Sequence, residues 1–283
     1  MKMNHRIGVL GAGVMGAAIA TLAIGHGVPV VLVDVDDETL AKARKEVRQQ
    51  LKLARLMGKL PRTGEAELIT TTDYADLADV TSVIEAVTEK PELKAKVLAE
   101  VSGVVEPGTV IVSNTSAIPV DEMADSVARP EDLCAIHFMN PPYLIRAVEV
   151  IRGPRTGDET MSKVTDLLAA LDRDGVVVGD GPGFVINRIL QRSINEAARI
   201  VEEGRATPEA VDAAFEGCLG HRTGPLATAD LIGLDNVVDS LRVLHERTGD
   251  RGYEPCDLLV AKVAAGDFGR KTGRGFYEHG GAL

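Results

Sequence analysis

Short continuous apolar runs alternate with longer segments of helical periodicity through the N-terminal part of the chain. Runs of this length are typical of strands buried on both faces of a largely parallel sheet, with the intervening helices covering it. The pattern therefore predicts an α/β fold for this part. The predicted strands span residues 6–10, 29–34, 81–86, 109–114, 133–138, 147–151 and 175–179.

The segment GDGPGF at residues 179–184 interrupts this alternation, and the pattern after it is helical. In the first helical segment the apolar residues form a stripe that is wide for a surface helix. Such a stripe indicates burial on two sides, with a second copy of the chain covering one of them. We therefore predict an all-α C-terminal domain over residues 182–283 that forms a homodimer. The stripe consists of Ile186, Ile189, Leu190, Ile194, Ala197, Ala198 and Val201.

A glycine-rich turn, GAGVMG, joins the first predicted strand to a helix rich in Ala, Ile and Leu. Gly11, Gly13 and Gly16 occupy the G-x-G-x-x-G positions, and Val14 and Met15 lie where the helix begins. In such a turn the first glycine permits the tight bend, the second lets the backbone approach a pyrophosphate, and the third lets helix and strand pack closely. The turn therefore predicts a dinucleotide-binding site.

Asp34 ends the second predicted strand, 18 residues after Gly16. A carboxylate here accepts hydrogen bonds from the adenosine ribose hydroxyls and repels a 2′-phosphate, which favours NAD over NADP. The alternative is a cap or loop residue. Taken with the glycine turn, Asp34 predicts a Rossmann-like NAD-binding domain over residues 1–181, with a helical arm at about residues 38–62.

Two later apolar runs each contain one ionisable residue: LCAIHF contains His137 and AVEVI contains Glu149. A lone histidine of this kind is more often a hydrogen-bonded core residue than a catalytic base. Ligands of parallel sheets, however, collect at the carboxyl ends of the strands. Because several polar residues occur at those ends, we expect them to border the cofactor. They are Glu89, Asn114, Ser116, His137 and Asn140.

Composition narrows the function classes further. The net charge of −11 argues against general binding of nucleic acid. No segment is apolar enough to span a membrane, and the glycine-interrupted N-terminus does not resemble a signal peptide. The three cysteines are far apart in sequence and have no metal-ligand spacing. We therefore expect a cytoplasmic protein with no metal site.

Six ordered motifs give the chain a resemblance to the short-chain 3-hydroxyacyl-CoA dehydrogenases. They are VLGAGVMGAAIA, SNTSAIP, HFMNPP with AVEVIRG, GPGFVINRIL, GPLATADLIGLD and GRKTGRGFYE, and they cover nearly the whole chain. The resemblance implies an NAD-dependent enzyme with a Rossmann-like domain, a helical dimerisation domain, and a cleft between them that holds a β-hydroxyacyl thioester.

The resemblance also implies roles for individual residues. His137 is the general base and Glu149 orients it, while Ser116 and Asn187 contact the substrate oxygen. These roles agree with the chemistry of alcohol oxidation. An imidazole can accept the hydroxyl proton near neutral pH, a buried carboxylate stabilises the imidazolium, and two donors stabilise the developing oxyanion. The cofactor contacts implied in the same way are Glu89, Lys94, Asn114 and Asn140.

The chain departs from the family pattern near the motif histidine, at Met139, Tyr143, Arg146 and Ala147. These departures indicate an unusual acyl group. The segment at residues 217–246 resembles a branch found with polyketide pathways. That branch implies an alternative function, the same oxidation of a glyceryl or hydroxyacyl thioester on an acyl carrier protein, for alkoxymalonyl or hydroxymalonyl extender units.

Two competing functions come from proteins that share the glycine turn. The 3-hydroxyisobutyrate and phosphogluconate dehydrogenases use a lysine four residues before an asparagine, where this chain has Gly183 before Asn187. The second competing function is that of a non-catalytic NAD-binding protein on the same fold. The chain has all four residues of the implied catalytic set, which argues against a non-catalytic protein. They are His137, Glu149, Ser116 and Asn187.

The predicted helical arm carries a basic stripe beside its apolar one. From residue 42 to residue 62 there are eight basic residues and a single acidic one. The usual interpretation is a solvated charged face, but charges of one sign repel each other unless an anion compensates them. We expect the stripe to dock the thioester carrier, either through the phosphates of CoA or through the acidic helix of an acyl carrier protein. The docking residues are Arg48, Lys52 and Arg55.

Overall fold

The structure is a computed structural model that describes residues 5–61, 64 and 66–280. The chain divides into two compact units, Met1–Gly181 and Pro182–Leu283. The first unit contains a sheet with helices, and the second is built from helices. The predicted fold class, an α/β nucleotide-binding fold followed by a helical domain, is confirmed.

The described residues of the first unit form one sheet of eight strands. In chain order the strands are Ile7–Leu10 (β1), Val30–Val33 (β2), Leu68–Thr71 (β3), Ser82–Glu85 (β4), Val110–Ser113 (β5), Leu133–His137 (β6), Ala147–Arg152 (β7) and Asp174–Gly179 (β8). Their order across the sheet is β3-β2-β1-β4-β5-β6-β7-β8. The first six strands are parallel, β7 is antiparallel to β6, and β8 is parallel to β7.

The apolar runs located seven of these strands, with ends that differ by at most one residue. The pattern missed β3, because its sequence LITT is short and half polar. It also predicted burial for β8, which the structure places at the edge of the sheet with a largely exposed surface. An apolar run cannot distinguish a central strand from an edge strand, since the difference depends on which neighbours pair with it.

Among the described residues of the first unit, five α-helices lie between the strands. They are Val14–Gly25 (α1), Asp37–Leu56 (α2), Pro91–Val104 (α3), Val120–Ala124 (α4) and Asp158–Ala170 (α5). Helix α1 is buried along almost its whole length, which fits its small and apolar sequence. The core contains apolar residues of β1, β2 and β4 to β7 together with those of α1, α2 and α5.

Helix α2 forms the predicted arm. It begins where the Asp36 carboxylate accepts the backbone N–H of Thr39 at 2.7 Å, a side-chain N-cap. The helix ends at Leu56, so Lys59 lies beyond it, and Arg62 lies outside the described residues. Its buried positions confirm the apolar stripe predicted from the sequence, namely Leu40, Ala43, Val47, Leu51 and Ala54.

The second unit contains five helices among its described residues. They are Ile186–Glu202 (α6), Pro208–Leu219 (α7), Pro225–Ile232 (α8), Leu234–Thr248 (α9) and Asp257–Ala264 (α10). The predicted wide stripe of α6 has two different environments. Ile194, Ala197 and Ala198 are buried in the core of this unit, whereas Ile189 is 66% exposed and Ile186 is 39% exposed.

Two buried carboxylates hold the C-terminal segment onto these helices. Asp230 accepts the backbone N–H groups of Phe276 at 2.8 Å and Tyr277 at 3.0 Å. Asp212 accepts the backbone N–H groups of Leu226 and Ala227 and the Tyr277 hydroxyl. Desolvation raises the pKa of the Tyr277 hydroxyl, and its hydrogen bond to Asp212 raises it further. The hydroxyl therefore remains a neutral donor to Asp212.

Candidate active site

The glycine turn between β1 and α1 has the geometry of a phosphate cradle. Gly11 has a φ of +93°, and a Cβ atom there would lie 2.8 Å from the Ala86 carbonyl oxygen. A Cβ atom on Gly16 would lie 1.7 Å from the Gly11 carbonyl oxygen, so strand and helix pack too closely for any side chain. A Cβ atom on Gly13 would meet nothing within 4 Å. The first and third glycines are therefore required by packing, and the second faces open space.

The N-terminus of α1 opens onto that space. Gly13 is its N-cap residue and supplies no side-chain cap, and Val14 is exposed. Backbone N–H groups at a helix N-terminus favour an anion such as a pyrophosphate. The structure thus fits a dinucleotide at this position.

Asp34 lies immediately after β2, and its carboxylate is held by two backbone donors. Oδ2 accepts the N–H of Ala12 at 2.6 Å, and Oδ1 accepts the N–H of Val35 at 2.7 Å. The bond from Ala12 attaches the end of β2 to the glycine turn. A carboxylate has about four acceptor positions, so Asp34 retains acceptors for ribose hydroxyls, and its charge disfavours a 2′-phosphate.

His137 and Glu149 face each other across the only antiparallel pairing in the described sheet. His137 is the last residue of β6 and stands opposite Glu149 of β7 in the strand register. Their side chains are both buried, and His137 Nδ1 lies 2.8 Å from Glu149 Oε2. The carboxylate accepts the Nδ1–H, which fixes the tautomer and assigns proton transfer to Nε2. Such a pair can accept a proton and stabilise the resulting imidazolium.

The strand that carries His137 provides no competing nucleophile. Cys134, on β6, is completely buried, and burial raises the pKa of its thiol to about 12. The thiol is therefore neutral at physiological pH, and a neutral thiol is a weak nucleophile. The reactive group that this strand contributes is the imidazole.

The other polar residues predicted for the sheet edge occupy different depths. Asn140 is exposed, whereas the Asn114 side-chain oxygen accepts the backbone N–H of Phe138 at 3.0 Å and so connects the ends of β5 and β6. Glu89 accepts the backbone N–H of Ser116 at 2.9 Å. Lys94 is completely buried and contacts Glu89.

Asn187 belongs to the second unit, where it is the second residue of α6 and half-buried. The preceding turn contains Phe184, whose φ of 50° is unusual for a residue with a side chain. Gly183 has a φ of +70°, and a Cβ atom there would lie 2.7 Å from Leu244 Cδ2. A lysine at position 183 would therefore be strained, which separates this chain from the lysine-dependent dehydrogenases.

The predicted docking residues of α2 differ in their surroundings. Arg48 and Lys52 are exposed. Arg55 is half-buried and donates to the carbonyl oxygens of Pro61 at 3.2 Å and Gly64 at 3.0 Å. Part of the Arg55 guanidinium is thus engaged in holding the segment after the helix, which distinguishes it from the other two.

Comparison with known proteins decides the family. Residues 6–181 match the family model described as the 3-hydroxyacyl-CoA dehydrogenase NAD binding domain, and residues 183–279 match the C-terminal domain of the same family. The chain belongs to the 3-hydroxyacyl-CoA dehydrogenase family. The predicted family and the predicted cofactor, NAD, are therefore confirmed.

The similarity to individual members of this family covers nearly the whole chain. A probable 3-hydroxybutyryl-CoA dehydrogenase of Deinococcus radiodurans is 40% identical over 277 residues, which cover 97% of this chain and 100% of that protein. A 3-hydroxybutyryl-CoA dehydrogenase of Bradyrhizobium diazoefficiens is 41% identical over 98% of this chain and 96% of that protein. The crystal structure of the (S)-3-hydroxybutyryl-CoA dehydrogenase of Ralstonia eutropha matches with a TM-score of 0.90 at 37% identity, covering 98% and 99% of the two chains.

Sequence reasoning missed Glu85, a buried ionisable residue of the first unit. It ends β4, is completely inaccessible to solvent and contacts Lys94. A signal was present, because the run TSVIEA has one carboxylate at the end of an apolar strand, as AVEVI has Glu149 within one. A single carboxylate in an apolar run therefore indicates a buried partner in both cases.

Metal binding and insertion into a membrane each require a recognisable structural feature. Within residues 5–61, 64 and 66–280, no group of three or more His, Cys, Asp or Glu side chains could hold a metal ion. None of the helices in the described part of the chain combines the length and apolar character that a membrane span requires.

Proposed function

We propose that this protein is an NAD-dependent dehydrogenase that oxidises the β-hydroxyl group of a 3-hydroxyacyl-CoA thioester, with 3-hydroxybutyryl-CoA as the first substrate to test. The observation that supports it most directly is the buried pair of His137 and Glu149, held at 2.8 Å. The relatives named as 3-hydroxybutyryl-CoA dehydrogenases support the choice of substrate.

In this proposal His137 accepts the hydroxyl proton at Nε2, and Glu149 stabilises the imidazolium that forms. Bound NAD would supply the acceptor for the hydride that leaves the β-carbon. Ser116 and Asn187 donate hydrogen bonds to the oxygen as its negative charge develops, a preorganised stabilisation typically worth about 3 kcal/mol per donor. Gly11, Gly13, Gly16 and the α1 N-terminus would hold the pyrophosphate; the ribose and nicotinamide contacts are Asp34, Glu89, Asn114 and Asn140.

The decisive test is NADH formation by the purified protein with NAD and 3-hydroxybutyryl-CoA. We expect saturable turnover that is lost in His137→Ala, while NAD titration gives the same Kd for both proteins. Binding of NAD without turnover on any 3-hydroxyacyl thioester would instead identify a non-catalytic NAD-binding protein.

A second candidate is the same oxidation of a glyceryl or hydroxyacyl group carried by an acyl carrier protein. The exposed basic side chains of α2, including Arg48 and Lys52, support it because carrier proteins present an acidic recognition helix. The same side chains suit the phosphates of CoA, and the named relatives favour CoA. Comparing kcat/KM for one acyl group on the two carriers distinguishes them, and we expect CoA to be preferred at least about tenfold.

We further propose that the protein is a homodimer formed through α6. The exposed Ile186 and Ile189 continue the apolar stripe of that helix beyond its buried part. Ile189 borders an open cavity of about 710 Å³ that is also lined by Phe215, Val211 and other residues of α6. We also propose a cytoplasmic location, because the three widely separated cysteines fit a reducing compartment.

A further inference from the structure

A completely buried carboxylate, that of Glu85, lies at the end of β4. It accepts three hydrogen bonds: from Lys94 Nζ at 2.7 Å, from Ser113 Oγ at 2.6 Å and from the backbone N–H of Val87 at 2.7 Å. An ionised carboxylate removed from water is costly unless it is paired and hydrogen-bonded. The position of Glu85 is therefore closely determined by its partners.

The Lys94 ammonium uses all of its donors inside the protein. Its side chain is 1% exposed, and Nζ lies 2.7 Å from Glu85 Oε1, 3.1 Å from Glu89 Oε2 and 3.3 Å from the Val87 carbonyl oxygen. A lysine ammonium has three N–H donors and no acceptor. Three protein acceptors satisfy all three, so none remains for a bound cofactor.

Glu89 connects this buried pair to the segment that contains Ser116. Oε2 faces Lys94, while Oε1 accepts the backbone N–H groups of Ser116 at 2.9 Å and Ala117 at 3.3 Å and the Thr115 hydroxyl. The Glu89 side chain is 40% exposed. A half-exposed glutamate would otherwise sample several rotamers, and the ammonium behind it selects one.

We propose that Glu85 and Lys94 are positioning residues that act through Glu89 to hold the backbone at Ser116. In this proposal Lys94 acts on the site through Glu89, and it does not make the cofactor contact that the family resemblance implies. The inference deepens the proposed function and rests on it for the role of Ser116. Donors to a developing oxyanion must be held within a few tenths of an ångström, so loosening this segment reduces turnover without removing a ligand contact.

The test is the double variant Glu85→Gln with Lys94→Met. It removes both buried charges together, so neither remains uncompensated, and a glutamine can still accept from Val87 while the Ser113 hydroxyl reverses its bond. Hydrogen exchange of the Ser116 and Ala117 amides, measured on the protein without substrate, should become at least tenfold faster. We expect kcat to fall at least tenfold.

A matched control removes a different, partly buried ion pair of the same unit. Arg129 Nε lies 2.9 Å from Asp132 Oδ2, just before β6 begins. The variant Arg129→Met with Asp132→Asn should leave kcat and the exchange of the Ser116 amide within twofold of wild type. Comparable losses in both double variants would show a general effect of removing charge and would overturn the proposal.

A second pair of variants tests the network without altering a buried charge. Thr115→Val removes the hydroxyl that donates to Glu89, and Thr115→Ser keeps it. We expect faster exchange at Ser116 in the valine variant and rescue in the serine variant. This comparison applies even if the double variant does not fold.

Two results would overturn the proposal. A tenfold rise in the Kd for NAD with unchanged amide exchange would make Lys94 a cofactor contact, and unchanged exchange and kcat would leave the network with a purely structural role. Failure of the proposed function is a separate outcome. It would appear as wild-type inactivity on every thioester, whereas the exchange measurement needs no substrate.

Discussion

At the scale of single residues, the site depends on polar side chains placed within apolar strands. His137 and Glu149 are each isolated in sequence, yet they meet at 2.8 Å because β6 and β7 bring them opposite each other. A buried carboxylate that accepts from Nδ1 stabilises an imidazolium and fixes the orientation of the ring. An amide in its place can do neither as well.

We therefore expect Glu149→Gln to lower kcat by about a hundredfold or more, the usual contribution of a positioned general base. NAD binding should stay near the wild-type value, because Glu149 lies away from the glycine turn. Steady-state NADH formation and NAD titration measure the two quantities. Glu106→Gln, an exposed carboxylate of the same unit, is the matched control. Turnover of Glu149→Gln at the wild-type rate would exclude the pair from catalysis.

A second residue-scale prediction concerns cofactor choice. Replacing Asp34 with Ser removes the charge that repels a 2′-phosphate, and replacing the exposed Val35 with Arg adds a group that can bind it. The ratio of kcat/KM for NADP to that for NAD should rise at least about tenfold in the double variant. The single variant Val35→Arg separates the effect of the added positive charge from the effect of the lost Asp34 carboxylate. An unchanged ratio would mean that Asp34 does not face the ribose.

At the scale of elements, the glycine turn distinguishes packing from ligand binding. Gly13→Ala adds a Cβ atom into open space, so the free energy of unfolding should change little while the Kd for NAD rises at least about tenfold. Gly16→Ala forces a Cβ atom against the Gly11 carbonyl oxygen and should lower Tm by several degrees or more. Thermal unfolding and NAD titration of both variants provide the comparison. Equal effects of the two on Tm would contradict this division of roles.

Helix α2 provides the element-scale test of carrier docking. Reversing Arg48 and Lys52 to Glu should raise KM for the true carrier substrate sharply, and salt should weaken binding to the wild type, since exposed charges are screened over about 8 Å at physiological ionic strength. Arg55 should be left in place, because its bonds to Pro61 and Gly64 hold the adjoining segment.

The matched substrate for this test is an N-acetylcysteamine thioester, which lacks the anionic handle of either carrier. The same reversal should change its kcat/KM much less. Equal losses on the truncated and the full substrate would indicate a folding defect and contradict a docking role for α2.

At the scale of the whole molecule, the exposed apolar face of α6 predicts the oligomeric state. We expect the wild type to elute as a dimer, and Ile189→Glu to shift it towards the monomer, because a charge there must be desolvated when two copies associate. Light scattering coupled to size exclusion measures the mass directly. Leu56→Glu, which changes an exposed apolar residue of the other unit, should remain dimeric. A dimer that resists Ile189→Glu would place the interface elsewhere.

The amino-acid sequence by itself determined the features that depend on neighbours along the chain. The apolar runs located seven strands, the helical period predicted the stripe of α2 from Leu40 to Ala54, and the spacing of three glycines identified the nucleotide turn. These features follow from the period of a helix or strand and from the sterics of a turn. Both depend only on residues close together in the chain.

Only the tertiary structure decided which elements become neighbours. The antiparallel pairing of β6 with β7 places His137 opposite Glu149, and nothing in either strand specifies that direction. Burial of Lys94 between two carboxylates likewise requires β4 and the following helix to pack together, as does the exposure of β8 at the sheet edge. Pairing and burial are collective properties of the folded chain, because each strand's environment depends on strands distant from it in sequence.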